Sequence, residues 1–352
     1  MKKVLKIVLS LLLVVVVFVV GMLIFLTVTD YKPNKEISLD IRKANEKLLN
    51  IGEELSVMTW NIGYCGLGKE EDFFLDGGKK VKPDNKEVVD KNIDGIVNSL
   101  KNFNNDFYLF QEIDVDADRS FNINQLKLFE DFFKNLNSTF GYNYKVSYVP
   151  LPIPPTGKVN AGQGTFSEYK IEKAKRYAFD GNYKWPLNTI MLDRCFISTE
   201  IPIEGKDSKL ILVNAHFSAY DDGTLRTEQL EAVKGFILSE YQKGNYIIFG
   251  GDWNQSFEIV DTSKFPMFGD GSFYTPYPIP NQWLEKDWKW GVSDNAATYR
   301  LLNEAYKEGE SQTGVIDGFV VSPNIKIIDT EVIDLGFNNS DHNPVKMKFI
   351  LN

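Results

Sequence analysis

Apolar positions in this chain follow three patterns. The first is a single unbroken run. From Ile7 to Val28 no residue is charged, and only Ser10, Gly21 and Thr27 interrupt the apolar side chains. As a helix, that run covers the hydrocarbon thickness of a bilayer. The second pattern is helical. Val89, Ile93, Ile96, Val97 and Leu100 share one face of a helix over Glu87–Phe103, and Asn124–Leu136 and Thr227–Tyr241 read as further amphipathic helices. The third is a series of short apolar runs bounded by polar residues. These predict strands at Ser56–Asn61, Asp106–Ile113, Tyr144–Val149, Leu210–His216, Tyr246–Gly250, Val315–Val321 and Val345–Leu351. Strands and helices that alternate in this way predict an α/β (α+β) domain with helices covering a central sheet. With no internal repeat and no Pro/Gly linker, residues 55–352 read as one domain.

The ends of the first run decide what it is. Lys2, Lys3 and Lys6 form a basic flank over residues 1–6, ahead of the apolar segment 7–28. Val14–Phe18 and Met22–Leu26 are bulky and no A-x-A pattern follows, so an uncleaved anchor is favoured over a removed signal. No cysteine stands near its end for lipid attachment. The basic flank belongs in the cytoplasm, which makes this a single-pass cell-membrane protein with everything after Asp30 outside. Residues 29–54 read as a polar stalk, with a short helix around Ile41–Leu49.

Two stretches lack clear periodicity. Residues 150–186 contain "PLPIPPTG". Residues 255–299 hold Phe257, Phe265, Phe268, Phe273, Tyr274, Tyr277, Trp283, Trp288 and Trp290. Such aromatics either pack within their own loop or, around Tyr274–Trp290, touch a membrane interface, where Trp and Tyr are favoured.

Composition narrows the class. The chain has 352 residues, enough to bury a core without a disulfide or metal scaffold, and its two cysteines, Cys65 and Cys195, either pair or stay free. The formal net charge is −9; without Lys2, Lys3 and Lys6 the remainder carries −12. That balance argues against a broad basic groove for nucleic acid, although a bound divalent cation adds positive charge that the count omits.

"TWNIGYCGLGKE" (Thr59–Glu70) places Gly63, Gly68 and Lys69 at the spacing of a phosphate-cradling loop. The match fails chemically. Glu70 stands where a hydroxyl should meet a metal, the helix that should follow is broken by Gly77, Gly78 and Pro83, and an exported chain lies away from the cytosolic nucleotide. Gly63, Gly66 and Gly68 are better read as a turn.

What does recur is an apolar strand ending in a small polar cluster. Asn61 ends the first strand, Gln111-Glu112 the second, Asn214 and His216 another, and Asp252 and Asn254 the next. Asp317 and the trio Ser340-Asp341-His342 complete the set, and both histidines of the chain lie within it. Polar groups gathered at strand ends are what a site at the edge of a sheet requires.

These residues resemble the endonuclease/exonuclease/phosphatase superfamily. "TWNI", "QE", "NAH", "GDWN", "ID-GFVVS" and "SDH" stand in the family's order over Leu55–Asn352, and "GQGTFSEYKI" (Gly162–Ile171) is similar to its G-x-G-x-x-S-x-x-P-I stretch. The resemblance implies a fold like deoxyribonuclease I: a four-layer sandwich of two packed mixed β-sheets flanked by helices, with the site at one edge. It implies hydrolysis of a phosphate ester by water with a divalent metal, Mg2+ or else Mn2+ or Ca2+. Glu112 becomes the first metal ligand, with Asn61 beside it and Asp341 in the same network. His342 becomes the general base or water-orienting group, its tautomer held by Asp317. Asp252 and Asn254 would position the attacking water and the phosphorus, and His216 would bond a non-bridging oxygen. Asn214 supports the site from behind.

The resemblance is incomplete at three places. The second acid that some nucleases of the group place after the strand-end Asn is Gly63 here, Trp253 stands where Phe is more usual, and basic residues for extra phosphates are not evident. The substrate stays open between a phospholipid head group, as for sphingomyelinases, and extracellular DNA or RNA. A non-catalytic binding protein on the same fold is the alternative of another class.

Overall fold

Strand Glu54–Asn61 buries seven of its eight residues. Leu55 and Val57 point to one hydrophobic core, Met58 and Trp60 to another. A strand apolar on both faces must lie in a sheet covered on both sides, and the rest of the molecule supplies the covers. The computed structural model describes residues 1–181, 183–221, 223–266 and 274–352.

Two seven-stranded sheets form the centre. One runs in the order 36–38, 173–178, 195–202, 209–216, 246–252, 317–321 and 289–291. The other runs 325–332, 345–351, 54–61, 107–114, 157–167, 137–149 and 41–42. The middle core joins them: Val57, Phe107, Leu109, Val345 and Phe349 of one sheet meet Leu210, Leu212, Ile248 and Phe319 of the other. The outer face of the first sheet packs Ile211, Val213 and Phe249 against Leu230, Val233 and Ile237 of helix α4 (Thr224–Gln242). The outer face of the second packs Met58, Tyr108 and Phe110 against helices α2 (Lys86–Leu100) and α3 (Gln125–Phe132). This is the expected four-layer sandwich.

Each sheet is mixed. In the second, 54–61 and 107–114 pair in parallel across α2; in the first, 209–216 and 246–252 pair in parallel across α4. Parallel neighbours need such a crossover, and it leaves their C-terminal ends side by side. Asn61 thus lies opposite Gln111, and Asp252 lies opposite both His216 and Asp317. α2 starts where Asn85 accepts a hydrogen bond from the Val88 amide at 3.2 Å, a side-chain cap on an otherwise unpaired amide.

Three expectations need correction. No helix forms at Ile41–Leu49. Instead Glu36–Ser38 pairs with Lys175–Tyr177 at the edge of one sheet, and Ile41–Arg42 pairs with Ser138–Thr139 at the edge of the other. Leu49 is fully buried between the sheets. The free sheet edges offer this segment backbone partners that outweigh a short helix's marginal stability. Arg42 adds hydrogen bonds to the carbonyls of Leu136, Glu130 and Lys134 at 2.8, 3.1 and 3.0 Å. Second, residues 150–186 contain strands Gly157–Ser167 and Lys173–Ala178. Third, α3 ends at Phe132, and the following strand spans Asn137–Val149, longer than its apolar stretch.

Most of the described aromatics of residues 255–299 are packed, whereas Tyr277 is 60% exposed. Tyr274, Trp283 and Trp288 are buried, and Trp283 and Trp290 sit 5.7 and 5.4 Å, ring to ring, from Trp253. Phe268 and Phe273 lie outside the described residues. Cys65 and Cys195 are buried free thiols.

α1 (Lys2–Thr29) is a continuous helix whose apolar side chains stand exposed, except near its end, where Leu26 is buried. It is long and apolar enough to cross a membrane.

Candidate active site

Asn61 holds the centre of the site. Its amide nitrogen donates to Glu112 Oε1 at 3.2 Å and to Asp252 Oδ2 at 2.9 Å, so it ties one sheet's carboxylate to the other's. Its oxygen accepts from the Gly63 amide at 3.0 Å, which fixes the amide's orientation.

Glu112 reaches this position through a β-bulge. Pairing with strand 157–167 shifts between Phe110 and Ile113, and Glu112 adopts φ 57°. A non-glycine residue in the left-handed region is strained, and a bulge re-aims the side chain at that point. Here it turns the carboxylate off the strand's alternation and into the cavity.

Asp252 depends on a glycine. Gly251 has φ 144°, and a Cβ there would lie 1.9 Å from the Ala215 carbonyl oxygen. Only glycine lets strand 246–252 approach its neighbour closely enough for that pairing. Asp252 Oδ1 accepts from the Asn254 amide at 2.9 Å, and Oδ2 lies 3.3 Å from His216 Nε2 and 3.8 Å from His342 Nε2. Burial pushes its carboxyl up to about 6, helped by Asp317 and opposed by His342.

His342 Nδ1 is 2.8 Å from Asp317 Oδ2, which leaves Nε2 facing Asp252 at 3.8 Å and Asp341 at 4.0 Å. Its carbonyl accepts from Trp60 Nε1 at 2.9 Å. Burial opposes a charge on the ring, but Asp317, Asp252 and Asp341 together outweigh it and hold its pKa well above the usual value. The opposite holds for His216. Burial first, then Arg194, His342 and Arg119, push it well below the ordinary range. One histidine is therefore a charged or readily protonated ring and the other a neutral one.

Asp341 points away from His342 Nδ1, toward Gly63. Burial pushes its carboxyl up to about 7, with Glu112 adding to the shift and His342 opposing it. At Gly63 (φ 51°) a Cβ would stand 2.5 Å from Asp341 Oδ1. The missing second acid thus has a physical reason: the Asp341 carboxylate fills the space that a side chain at residue 63 would need.

Glu112, Asn61, Asp252, Asp341, His216 and His342 line one cavity of about 590 Å3. Asp317 and Asn254 stand behind its wall. Asn254 donates to the Phe217 carbonyl at 2.9 Å and accepts from the Tyr274 hydroxyl at 3.1 Å, so both ends of its amide are engaged. Asn214 lies deeper, accepting from Gln111 at 2.7 Å and donating to Gly164 and Phe110 carbonyls at 3.0 and 3.2 Å.

Sequence reasoning missed three cations of the cavity wall; one, Arg300, donates to the Gly68 and Glu71 carbonyls at 2.7 and 3.0 Å. Arg119 forms a bidentate pair with Asp114 (2.9 and 3.1 Å), lies 3.9 Å over the Tyr64 ring and lines the cavity. Arg194 also lines it and donates to the His216 carbonyl at 3.3 Å. Neither sits at the end of an apolar strand, so the pattern that revealed the acids passes over them. Tyr220, whose hydroxyl donates to Asp76 at 2.6 Å, was also passed over.

The donor set fits a hard divalent cation. Glu112, Asn61 and Asp341 are oxygen donors, and burial makes uncompensated negative charge on Asp341 costly. Asp252, Asp317 and His342 also bring ligand atoms within 4.8 Å of one another. The 2.8 Å contact between Asp317 Oδ2 and His342 Nδ1 is, however, a hydrogen bond that engages one ligand atom of each.

The model of the Endonuclease/Exonuclease/phosphatase family matches residues 58–342. The chain belongs to this family, and it is accordingly a metal-dependent hydrolase of phosphoric esters. No match was found among curated proteins. Among solved structures, the chain is similar to an endonuclease/exonuclease/phosphatase from Beutenbergia cavernae DSM 12333, with 18% identity, coverage of 85% of this chain and 72% of that one, and a TM-score of 0.56. It is similar to another from Bacteroides vulgatus, with 13% identity, coverage of 85% and 100%, and a TM-score of 0.53. A third is D. rerio TDP2 complexed with single strand DNA product, with 14% identity, coverage of 84% and 99%, and a TM-score of 0.50. At these identities the likeness concerns the fold.

Proposed function

We propose that the protein is a phosphodiesterase, held on the cell membrane by α1 with its catalytic domain outside, that hydrolyses a phosphate ester by activated water. The observation that carries this reading is the Asp317–His342 pair, which leaves Nε2 facing a cavity that Glu112, Asn61 and Asp341 also line.

Glu112, Asn61 and Asp341 would hold the divalent cation, and Mg2+ suits that oxygen set. When bound, the cation supplies positive charge that offsets the phosphate's and polarises its oxygens. The chain's own residues do the rest. Asp317 keeps a proton of the His342 ring on Nδ1; a bound cation would offset the acids that favour the charged ring, leaving Nε2 as the atom that takes a proton from the attacking water. The water oxygen bonds to phosphorus as the P–O bond to the ester oxygen breaks, and the leaving oxygen departs as an alcohol with a proton taken from solvent. Asp252, fixed by Asn61 and the Asn254 amide, orients that water. His216, Arg119 and Arg194 face the non-bridging oxygens, where charge develops. Asn254 acts through Asp252 and Tyr274 and does not touch the substrate.

The test is hydrolysis of bis-p-nitrophenyl phosphate, plasmid DNA and sphingomyelin with Mg2+, beside His342→Ala. Metal-dependent turnover that is lost in the variant supports the reading. Cleavage of plasmid DNA alone would make the protein a surface nuclease, a reading its acidic balance speaks against. No turnover on any substrate would favour a non-catalytic binding protein.

A further inference from the structure

The cavity has two ends of different chemistry. Besides its acids, histidines and arginines, its wall carries a set of aliphatic side chains, Leu75, Val149, Leu151, Leu187, Ile190 and Leu225. A small inorganic ester does not need such a wall, and neither does the backbone of a nucleic acid, which presents charge and sugar.

That wall continues out to an exposed rim. Leu151 is 61% exposed, Ile153 89%, Trp185 59% and Leu187 52%. Leu151 and Leu187 belong to both wall and rim. Large apolar side chains gathered at the mouth of a cavity mark a surface that meets another apolar phase. The rim also has a fixed neighbour. The Trp185 indole donates to the Thr27 hydroxyl at 3.1 Å, and Thr27 lies in the last turn of α1. Nearby, Lys145 lies 5.2 Å over the ring of Tyr31, just beyond the helix. The mouth therefore stands at the level where the apolar helix ends. If α1 crosses a bilayer, Trp185 lies at its interface, the depth that indoles favour.

Resting on the phosphodiesterase reading, we propose that the substrate is an amphiphilic phosphate ester taken from the bilayer that α1 crosses. Its hydrocarbon lies along the Leu151–Leu187 wall, its phosphate meets the acid and histidine end, and Ile153 and Trp185 seat the mouth in the membrane surface.

The test uses the full chain in phosphatidylcholine vesicles with Mg2+ and three esters that share one scissile bond: ethyl, hexyl and hexadecyl p-nitrophenyl phosphate. Two extra buried methylenes are worth about tenfold, so hexyl ester in solution should exceed ethyl ester in kcat/KM by roughly tenfold or more. For hexadecyl ester in the bilayer, Ile153→Ser combined with Trp185→Ser should lower the ratio of hexadecyl to ethyl rates about fivefold or more. Both side chains are exposed, so folding does not depend on them. A hexyl ester no better than the ethyl one, or a ratio the double variant leaves unchanged, overturns the inference and leaves the phosphodiesterase reading standing. Cleavage of plasmid DNA with no alkyl ester cleaved does the same. Failure to hydrolyse any of these removes both.

Discussion

Gly63 and Asp341 share one corner of the site, and only one of them has room for a side chain. A Cβ on residue 63 would stand 2.5 Å from Asp341 Oδ1, and its φ of 51° disfavours anything but glycine. The Asp341 carboxylate, carried by the loop before the last strand, fills the space that a side chain at residue 63 would need. Gly63→Ala should displace Asp341 and lower metal-dependent activity by about tenfold or more, the scale seen when groups that orient a metal ligand are disturbed. Phosphodiester hydrolysis measured across a range of Mg2+ concentrations checks it. Wild-type activity and metal dependence would show that Asp341 has no part in holding the cation.

Removing the carboxylate partner of His342 separates positioning from proton transfer. His342→Ala should lower kcat by about 100-fold to 10,000-fold. Asp317→Asn keeps the shape but offers Nδ1 a poorer acceptor, and should cost kcat while sparing KM. Steady-state kinetics on bis-p-nitrophenyl phosphate reads both.

Metal affinity should follow pH with a definite sign. Burial raises Asp341 to about 7 and Asp252 to about 6 in the protein without metal. Below those values a proton competes with the cation for the carboxylate, and above them it does not. Apparent Mg2+ affinity should therefore weaken by about tenfold between about pH 8 and about pH 6. Calorimetric titration at the two pH values measures it, and an equal affinity at both would remove Asp341 from the ligand set.

Stability tests the path of residues 31–54. Leu49 is fully buried between the sheets, so Leu49→Ala should cost about 2–5 kcal/mol. Thermal unfolding of the full chain should show a lowered Tm. A detached stalk would show no change.

The strand-end clusters were legible because polar residues closing an apolar run have few structural uses, and Asn61, Glu112, Asp252 and His342 all converge as that pattern implies. The hidden parts share a physical cause. Strand Gly157–Ser167 carries Gln163, Thr165 and Ser167 at buried positions, so its hydrophobic alternation is erased. Residues 31–54 form only short edge pairings whose partners lie far along the chain, which local periodicity cannot report. Arg119 enters the cavity from a single 3-10 turn and Arg194 from an irregular segment, both too short for spacing to carry a signal. The left-handed turn at Glu112 is likewise invisible in a sequence that reads as plain strand.

Three short hydrogen bonds bridge the two sheets beneath or within the site: Asn61 to Asp252 at 2.9 Å, Asp317 to His342 at 2.8 Å and Gln111 to Asn214 at 2.7 Å. Each sheet on its own contributes half of the chemistry and neither contributes a working set. Catalytic competence is therefore a gauge of whether the halves have docked, and a partly assembled chain would be silent rather than unselective.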